Sequence, residues 1–321
     1  MSLWGQIMRI FAGKTAFITG AASGIGRALA LELGRCGVDC FLVDIDAAGL
    51  GQTASEVRQH GVRVGECRCD LSDPAQVSAA CQRVLREFGG VDLLINNAGI
   101  AFYGRTTSMT AEQWDRLLAV NLHAPIQITR ELLPSMLERL DAHIVNMCSI
   151  AGLVAGGRFA AYHVSKFGLI GFTEALRAEF GRRGLGVTAV CPGPVLTGLY
   201  IAAEAGSGSK VPMPPRWACA TPEQVARRTL KAIRRNRRQV LITPLAHALF
   251  ALKQFAPGVI DFANTFSRKR LKAALPWAKR SSQPEPQPVL LKFPDMSAAR
   301  LDERSEGLVD RSELVTGQRA A

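Results

Sequence analysis

At 321 residues with 48% hydrophobic and 21% charged content, the chain is long enough for one large α/β domain with appendages and does not require two compact domains. The formal net charge of +12 invites nucleic acid, but fourteen Lys or Arg fall between Gln224 and Pro284 against the single acid Asp261, which leaves the rest near neutral. No helix-turn-helix, zinc-finger or aromatic-stacking motif accompanies that basic stretch, so no nucleic-acid partner is expected.

Before the first strand, Leu3, Trp4, Ile7, Met8 and Phe11 recur at helical spacing and mark residues 1–12 as an amphipathic segment without the basic start and long apolar core of a signal peptide. It either packs on the domain's own surface or leans on a membrane. Residues 14–19 read as a short buried strand, followed by Gly20-Ala21-Ala22-Ser23-Gly24-Ile25-Gly26 and a helical pattern to Cys36. Strand, glycine turn and helix form a dinucleotide site, because glycine lets the backbone approach a pyrophosphate whose charge meets amide donors at the helix start. The Gly-x3-Gly-x-Gly spacing departs from the commoner Gly-x-Gly-x2-Gly, and alone it also suits an ordinary glycine-rich turn. A second strand over 38–43 ends at Asp44, about 20 residues downstream, where a ribose-binding acid is expected. Asp44 can accept from both adenosine ribose hydroxyls and would repel a 2′-phosphate, which favours NAD as cofactor. Ser23 stands where a basic residue would most help NADP, but Arg27 and Arg35 keep NADP open. Asp44 or Asp46 could instead cap the next helix.

The pattern continues as helix 47–59, strand 62–67, helix 74–88, strand 91–95, helices around 111–138, strand 142–147, helix 159–182, strand 187–191, helix 222–235 and strand 239–242. Such alternation predicts a Rossmann-type, doubly wound parallel sheet of about seven strands with helices on both faces. Cys36, Cys40, Cys67, Cys69, Cys81, Cys148, Cys191 and Cys219 are scattered without paired Cys-x2-Cys spacing, so they read as buried thiols and no metal is expected. With no secretory leader, this fits a reducing, cytoplasmic setting.

Tyr162 and Lys166 stand one helical turn apart, and Ser149 follows the strand-like run ending at Cys148. A phenol, which ordinarily titrates near pH 10, is a poor base at about neutral pH unless a positive charge stabilises the phenolate, and Lys166 supplies one from the same helix face. Ser149 can donate to the substrate oxygen that Tyr162 protonates or deprotonates, a set suited to interconverting an alcohol and a carbonyl. His163, about 100 degrees round the helix from Tyr162, should face away, and Cys148, alternating with Ser149, should be core.

Taken together, Thr19-Gly20-x3-Gly24-x-Gly26, Asp70-Leu71, Asn96-Asn97-Ala98-Gly99, Asn121, Ser149, Tyr162-x3-Lys166 and Pro192-Gly193-Pro194-Val195 occur in order. Over roughly residues 13–243 the chain resembles the short-chain dehydrogenase/reductase superfamily. The resemblance implies a catalytic tetrad of Asn121, Ser149, Tyr162 and Lys166, with Tyr162 as general acid/base, Ser149 as carbonyl-oxygen partner, Lys166 as ribose ligand and Asn121 holding a water near Lys166. Ser149 and Tyr162 would thus contact the substrate. It further implies that Gly20, Ser23, Gly24, Ile25, Gly26, Asp44, Asp70, Leu71, Asn97, Tyr162, Lys166, Val195 and Thr197 bind the cofactor, with Asp70 on the adenine and Val195 and Thr197 on the nicotinamide carboxamide. A homodimer or homotetramer through the helices near 111–138 and 159–182 is implied as well. Read singly, Asn96 and Asn97 could form a turn, and Asn121 could cap or kink a helix.

Residues 193–220 correspond to the substrate loop, where Leu153, Phe159, Leu199, Tyr200, Met213 and Trp217 could line an apolar pocket or simply pack. They point to a small-molecule hydrophobic substrate: a lipid, steroid, retinoid or long-chain acyl compound. A 3-oxoacyl thioester reduced with NADP is the alternative, and a non-catalytic dinucleotide-binding protein the alternative of another class. Residues 244–280 alternate apolar runs with Arg268-Lys269-Arg270-Leu271-Lys272, and each apolar piece falls short of the roughly 20 residues that span a bilayer. This helical extension would serve as a lid, a core-covering pair, or a peripheral membrane-docking surface. Residues 281–321 are expected to be disordered.

Overall fold

A computed structural model describes residues 8 and 10–262, with Asn264, except 140, 200–202, 207–210, 212 and 213. The expectations for residues 1–7, for Tyr200 and Met213 as pocket walls, and for the extension and tail from residue 265 onward lie outside the described residues.

Seven strands form one parallel sheet: β1 (Thr15–Thr19), β2 (Asp39–Asp44), β3 (Val64–Arg68), β4 (Leu93–Asn96), β6 (His143–Met147), β7 (Gly186–Cys191) and β9 (Gln239–Leu241). Their spatial order is β3-β2-β1-β4-β6-β7-β9. Every pairing in the sheet is parallel. Because the chain steps outward from β1 through β2 to β3 and then returns to lay β4 on β1's other side, the order reverses between β1 and β4. A crevice opens at such a switch point, outside the carboxyl ends of the strands. Two-residue strands β5 (Phe102–Tyr103) and β8 (Glu204–Ala205) pair separately.

The strands are near-continuous apolar runs, as parallel strands covered on both faces must be. Period-two alternation splits them between two cores: Ile18, Leu42 and Ile95 face α1 (Gly24–Arg35), α2 (Ala47–Arg58) and α7 (Pro222–Arg234). Phe17, Phe41 and Leu94 face α3 (Pro74–Phe88), α5 (Ala124–Leu137) and α6 (Ala160–Phe180). Each fully buried Leu, Ile or Phe contributes roughly 1.5–3 kcal/mol. Asp46 caps α2, accepting from the N–H groups of Ala48 and Gly49, and Asp73 caps α3 ahead of Pro74. Thr221 and Gln224 close a reciprocal box at the start of α7.

The helices expected around 111–138 are α4 (Ala111–Leu118) and α5, joined by a wide π turn at Ala119–His123. Pro125 lies four residues after Asn121 and has no N–H, so the Asn121 carbonyl is denied its regular helical donor. Met8 and Phe11 are buried in the α1-side core, which resolves that part of the amino-terminal segment as packing on the domain's own surface. The last described helix, α8 (Pro244–Phe255), follows β9.

Candidate active site

The turn after β1 is held by hydrogen bonds to the segment after β4. Thr19 Oγ1 accepts from the N–H groups of Asn97 and Ala98 at 2.9 and 3.1 Å. The Asn97 side-chain amide donates to the carbonyls of Thr19 and Gly20 at 2.9 and 3.2 Å. Gly20 adopts φ +67°, and a Cβ there would press to 2.9 Å from Ala98 Cα. Gly26 has a different task, since a Cβ on it would collide with the Gly20 carbonyl oxygen. It packs the start of α1 against the turn that would receive the cofactor.

Ser23 precedes α1 without a side-chain hydrogen bond to the helix start. The first amides of α1 are therefore donors suited to an anion. Asp44 closes β2; its carboxylate accepts from the N–H of Ala22 at 2.9 Å and of Asp46 at 3.0 Å, so the acid that could bind ribose also braces the glycine turn. Arg27 is paired with Glu56 at 2.6 Å and Arg35 with Glu32 at 3.2 Å, so the two arginines that kept NADP open each have a carboxylate partner. Asp70 accepts from the N–H and hydroxyl of Ser72, which hold its carboxyl below the usual range, with a smaller contribution from the charge of Arg116.

On the other side of the crevice, α6 presents Tyr162 and Lys166. The ammonium of Lys166 donates to the Met147 carbonyl at 2.9 Å and lies 5.7 Å from the centre of the Tyr162 ring. Burial lowers the pKa of Lys166, since desolvation penalises the charged form. Ser149 ends the β6 segment and starts a short turn, its Oγ accepting from the Ala151 N–H at 3.1 Å. His163 faces away from this pair as expected: one ring nitrogen contacts the Ala151 carbonyl at 2.7 Å and the other accepts from the Gly156 N–H at 2.9 Å. It pins the loop after Ser149. Cys148 is buried, as expected for a core residue.

Asn121 is placed one layer behind the crevice. Its side chain accepts from the Ile100 N–H and donates to the Ile100 carbonyl, both at 2.8 Å, and also donates to Ser165 at 3.2 Å. The side chain is thus committed to clamping the segment after β4 against α6, and does not line the crevice. A Cβ on Gly99 would lie 3.3 Å from Asn121 Oδ1 and 3.5 Å from Lys166 Nζ, so the two groups share one neighbour.

A single cleft of about 630 Å³ collects Gly20, Ser23, Gly24, Ile25, Asp44, Asp70, Leu71, Asn97, Ser149, Tyr162, Lys166, Val195 and Thr197 along its walls. Positive-φ glycines, open helix amides, an acid at the end of β2 and a cleft of this size fit a dinucleotide. Phe159 and Leu199 also line it, taking the pocket-wall alternative of the two open to them. Leu153 and Trp217 do not line it. Leu153 packs beneath the loop against Cys148, Leu169 and Ile170, and Trp217 is 87% exposed on a short turn. Arg116, Ile45 and Ile100 line the cleft unforeseen, because they belong to no local motif and are assembled by the crossing of α4 and the β2 and β4 exits. Among the described residues no cluster could hold a metal ion.

A family model described as short chain dehydrogenase matches residues 14–207. The chain belongs to the short chain dehydrogenase family. Its relatives include the putative oxidoreductase SadH of Mycobacterium tuberculosis, 34% identical over 85% of this chain and all of that protein. The ketoacyl reductase HetN of a Nostoc species is 32% identical, covering 83% of this chain and 96% of that one. A Burkholderia phymatum short chain dehydrogenase/reductase solved in complex with NAD superposes with TM-score 0.71 at 31% identity, over 78% of this chain and 96% of the other. As a short chain dehydrogenase the protein is an oxidoreductase of CH–OH groups that binds a nicotinamide dinucleotide.

Proposed function

We propose that this short chain dehydrogenase is NAD-linked and interconverts a hydrophobic secondary alcohol with its ketone, on lipid, steroid, retinoid or long-chain molecules. The observation that carries the reading is the Lys166 ammonium 5.7 Å from the Tyr162 ring centre, in the same cleft as Ser149 and the glycine turn. Tyr162 takes the alcohol proton in oxidation and returns it in reduction. Lys166 holds its charge beside the ring, where it favours the deprotonated phenol. Ser149 Oγ–H donates to the substrate oxygen, and Asn121 keeps the wall behind Lys166 in place. When bound, the nicotinamide accepts or supplies the hydride. Gly20, Ser23, Gly24 and Ile25 would hold its pyrophosphate, Asp44 the adenosine ribose, Asp70 and Leu71 the adenine, and Val195 and Thr197 the carboxamide end, while Asn97 shapes the turn that receives them.

Preference for NAD rests on Asp44 facing the cleft while Arg27 and Arg35 are paired with glutamates. Apolar walls at Ile100, Phe159, Leu199 and Val211 support an apolar substrate. An NADP-linked reductase of 3-oxoacyl thioesters is the second reading, favoured by the likeness to a ketoacyl reductase. The protein would act as a homodimer or homotetramer in the cytoplasm. No helix among the described residues is long and apolar enough to cross a membrane.

A panel of steroids, retinoids, aliphatic secondary alcohols and 3-oxoacyl thioesters, each followed by nicotinamide absorbance with NAD and NADP, tests both halves of the reading. Turnover of an apolar alcohol with NAD well above NADP is expected. Preference for a thioester, or for NADP, would replace it with the second reading.

A further inference from the structure

The helix α8 has the sequence of a buried element and the surroundings of an exposed one. Eight of its twelve residues are apolar, yet Ala246 is the one fully buried. The more polar α7 buries Val225, Ala226, Thr229, Leu230, Ala232 and Ile233. Leu245 is 40% exposed, Phe255 88%, and Val259 just beyond the helix 50%. Leaving large apolar side chains in water forgoes their burial energy, and such patches mark contact surfaces.

One end of α8 meets the rim of the cleft and the other is tied to the loop that follows Ser149. Thr243, its cap, fills the space beside the cleft-lining Gly193, where an added Cβ would strike it. At the other end Lys253 donates to the Leu153 carbonyl at 2.5 Å and stands 4.7 Å from the Phe167 ring centre. None of the described residues of α8 or beyond lines the cleft, so the helix borders the mouth and does not roof it. At twelve residues it is too short to cross a bilayer. The sequence that follows, between Phe262 and Pro284, carries six Lys or Arg and no acid. An apolar helix followed in sequence by a cationic run matches the composition of segments that bind an anionic interface.

We infer that α8 and Val259 form a docking face for an anionic lipid surface, set beside the cleft mouth so that an apolar substrate enters from the membrane. The entry step rests on the proposed apolar substrate; the docking face does not.

The test is flotation of the full-length protein with phosphatidylcholine vesicles, with and without phosphatidylglycerol, comparing wild type with Phe255→Glu/Val259→Glu. Both positions are exposed, and thermal unfolding checks that the variant folds. Wild type should float with anionic vesicles, less so as salt rises, and the variant should lose about tenfold or more in partitioning. Absence of anionic-vesicle binding, or equal binding by the variant, overturns the inference. So does light scattering that shows a wild-type dimer, a monomeric variant and no lipid binding, which would make the face a contact between copies. Vesicle binding by a protein that oxidises no apolar alcohol would sink the substrate reading while leaving the docking face intact.

Discussion

On the β1–β4 side of the cleft the polar side chains are spent on backbone: Thr19 and Asn97 lock the glycine turn, Asp44 braces it from β2, and Asn121 clamps Ile100. On the β6–α6 side, beyond Ser149, Tyr162 and Lys166, the walls are apolar side chains, among them Phe159, Leu199 and Pro214, and the nearby loop after Ser149 is steadied by His163 and Lys253. The first half is a rigid socket whose shape follows from directional bonds. The second is shaped by packing, which tolerates many side chains of similar volume. Directional constraints leave recognisable residues at fixed spacings, whereas packing leaves hydrophobicity alone.

The sharpest way to break this comparison is Tyr162→Phe, which sits where the halves meet. Turnover should fall by about 10²–10⁴-fold, the range of a positioned acid/base, while nicotinamide binding measured by fluorescence changes little. Retained turnover would remove the proposed chemistry. Asp44→Ala probes the socket: losing a charged acceptor worth about 1.5–3 kcal/mol should cut kcat/KM with NAD by roughly 10- to 100-fold and raise the NADP-to-NAD ratio. An unchanged ratio would detach Asp44 from cofactor choice and leave it as a brace for Ala22.

A smaller effect reads the strands beneath the substrate side, where His143 on β6 is bonded to Thr188 on β7 at 2.8 Å. Burial, aided by the charge of Arg177, pushes its pKa down to about 3. The native chain therefore keeps it neutral while the unfolded chain protonates it near the ordinary value of about 6.5. Its contribution is intact above that value and is lost as pH falls from there toward 3, at up to about 1.4 kcal/mol per pH unit. Urea unfolding of wild type and His143→Leu between those limits should show a shallower pH slope for the variant; parallel slopes would mean that His143 is protonated in the native state.

The sequence was most informative where chemistry demands a particular residue. Gly20, Ser149, Tyr162 and Lys166 were legible because a positive φ, a hydroxyl and a phenol beside an ammonium have few substitutes. The parallel sheet and the succession of its strands and helices were legible through their alternation, with boundaries displaced by a residue or two, whereas the spatial order of the strands was not. Arg27 was ambiguous until Glu56 was seen beside it, since a salt bridge between α1 and α2 has no local signature. Leu153 and Trp217 illustrate the opposite case, in which the alternatives stay open until the structure is in hand. Hydrophobic residues near a catalytic motif can face a pocket, the core or water, and period alone does not choose among them.

Composition and spacing by themselves determined that this chain winds a parallel sheet around a glycine-turn cleft holding a Tyr-Lys pair, because backbone geometry and proton chemistry restrict which residues can serve. Tertiary structure alone decided that Asn121 clamps the segment after β4, that both candidate arginines are engaged by glutamates, and that an apolar helix stands near the cleft with Phe255 in water. Those outcomes depend on which distant segments meet, and long-range contacts are fixed by the packing of the whole chain, not by any stretch of it.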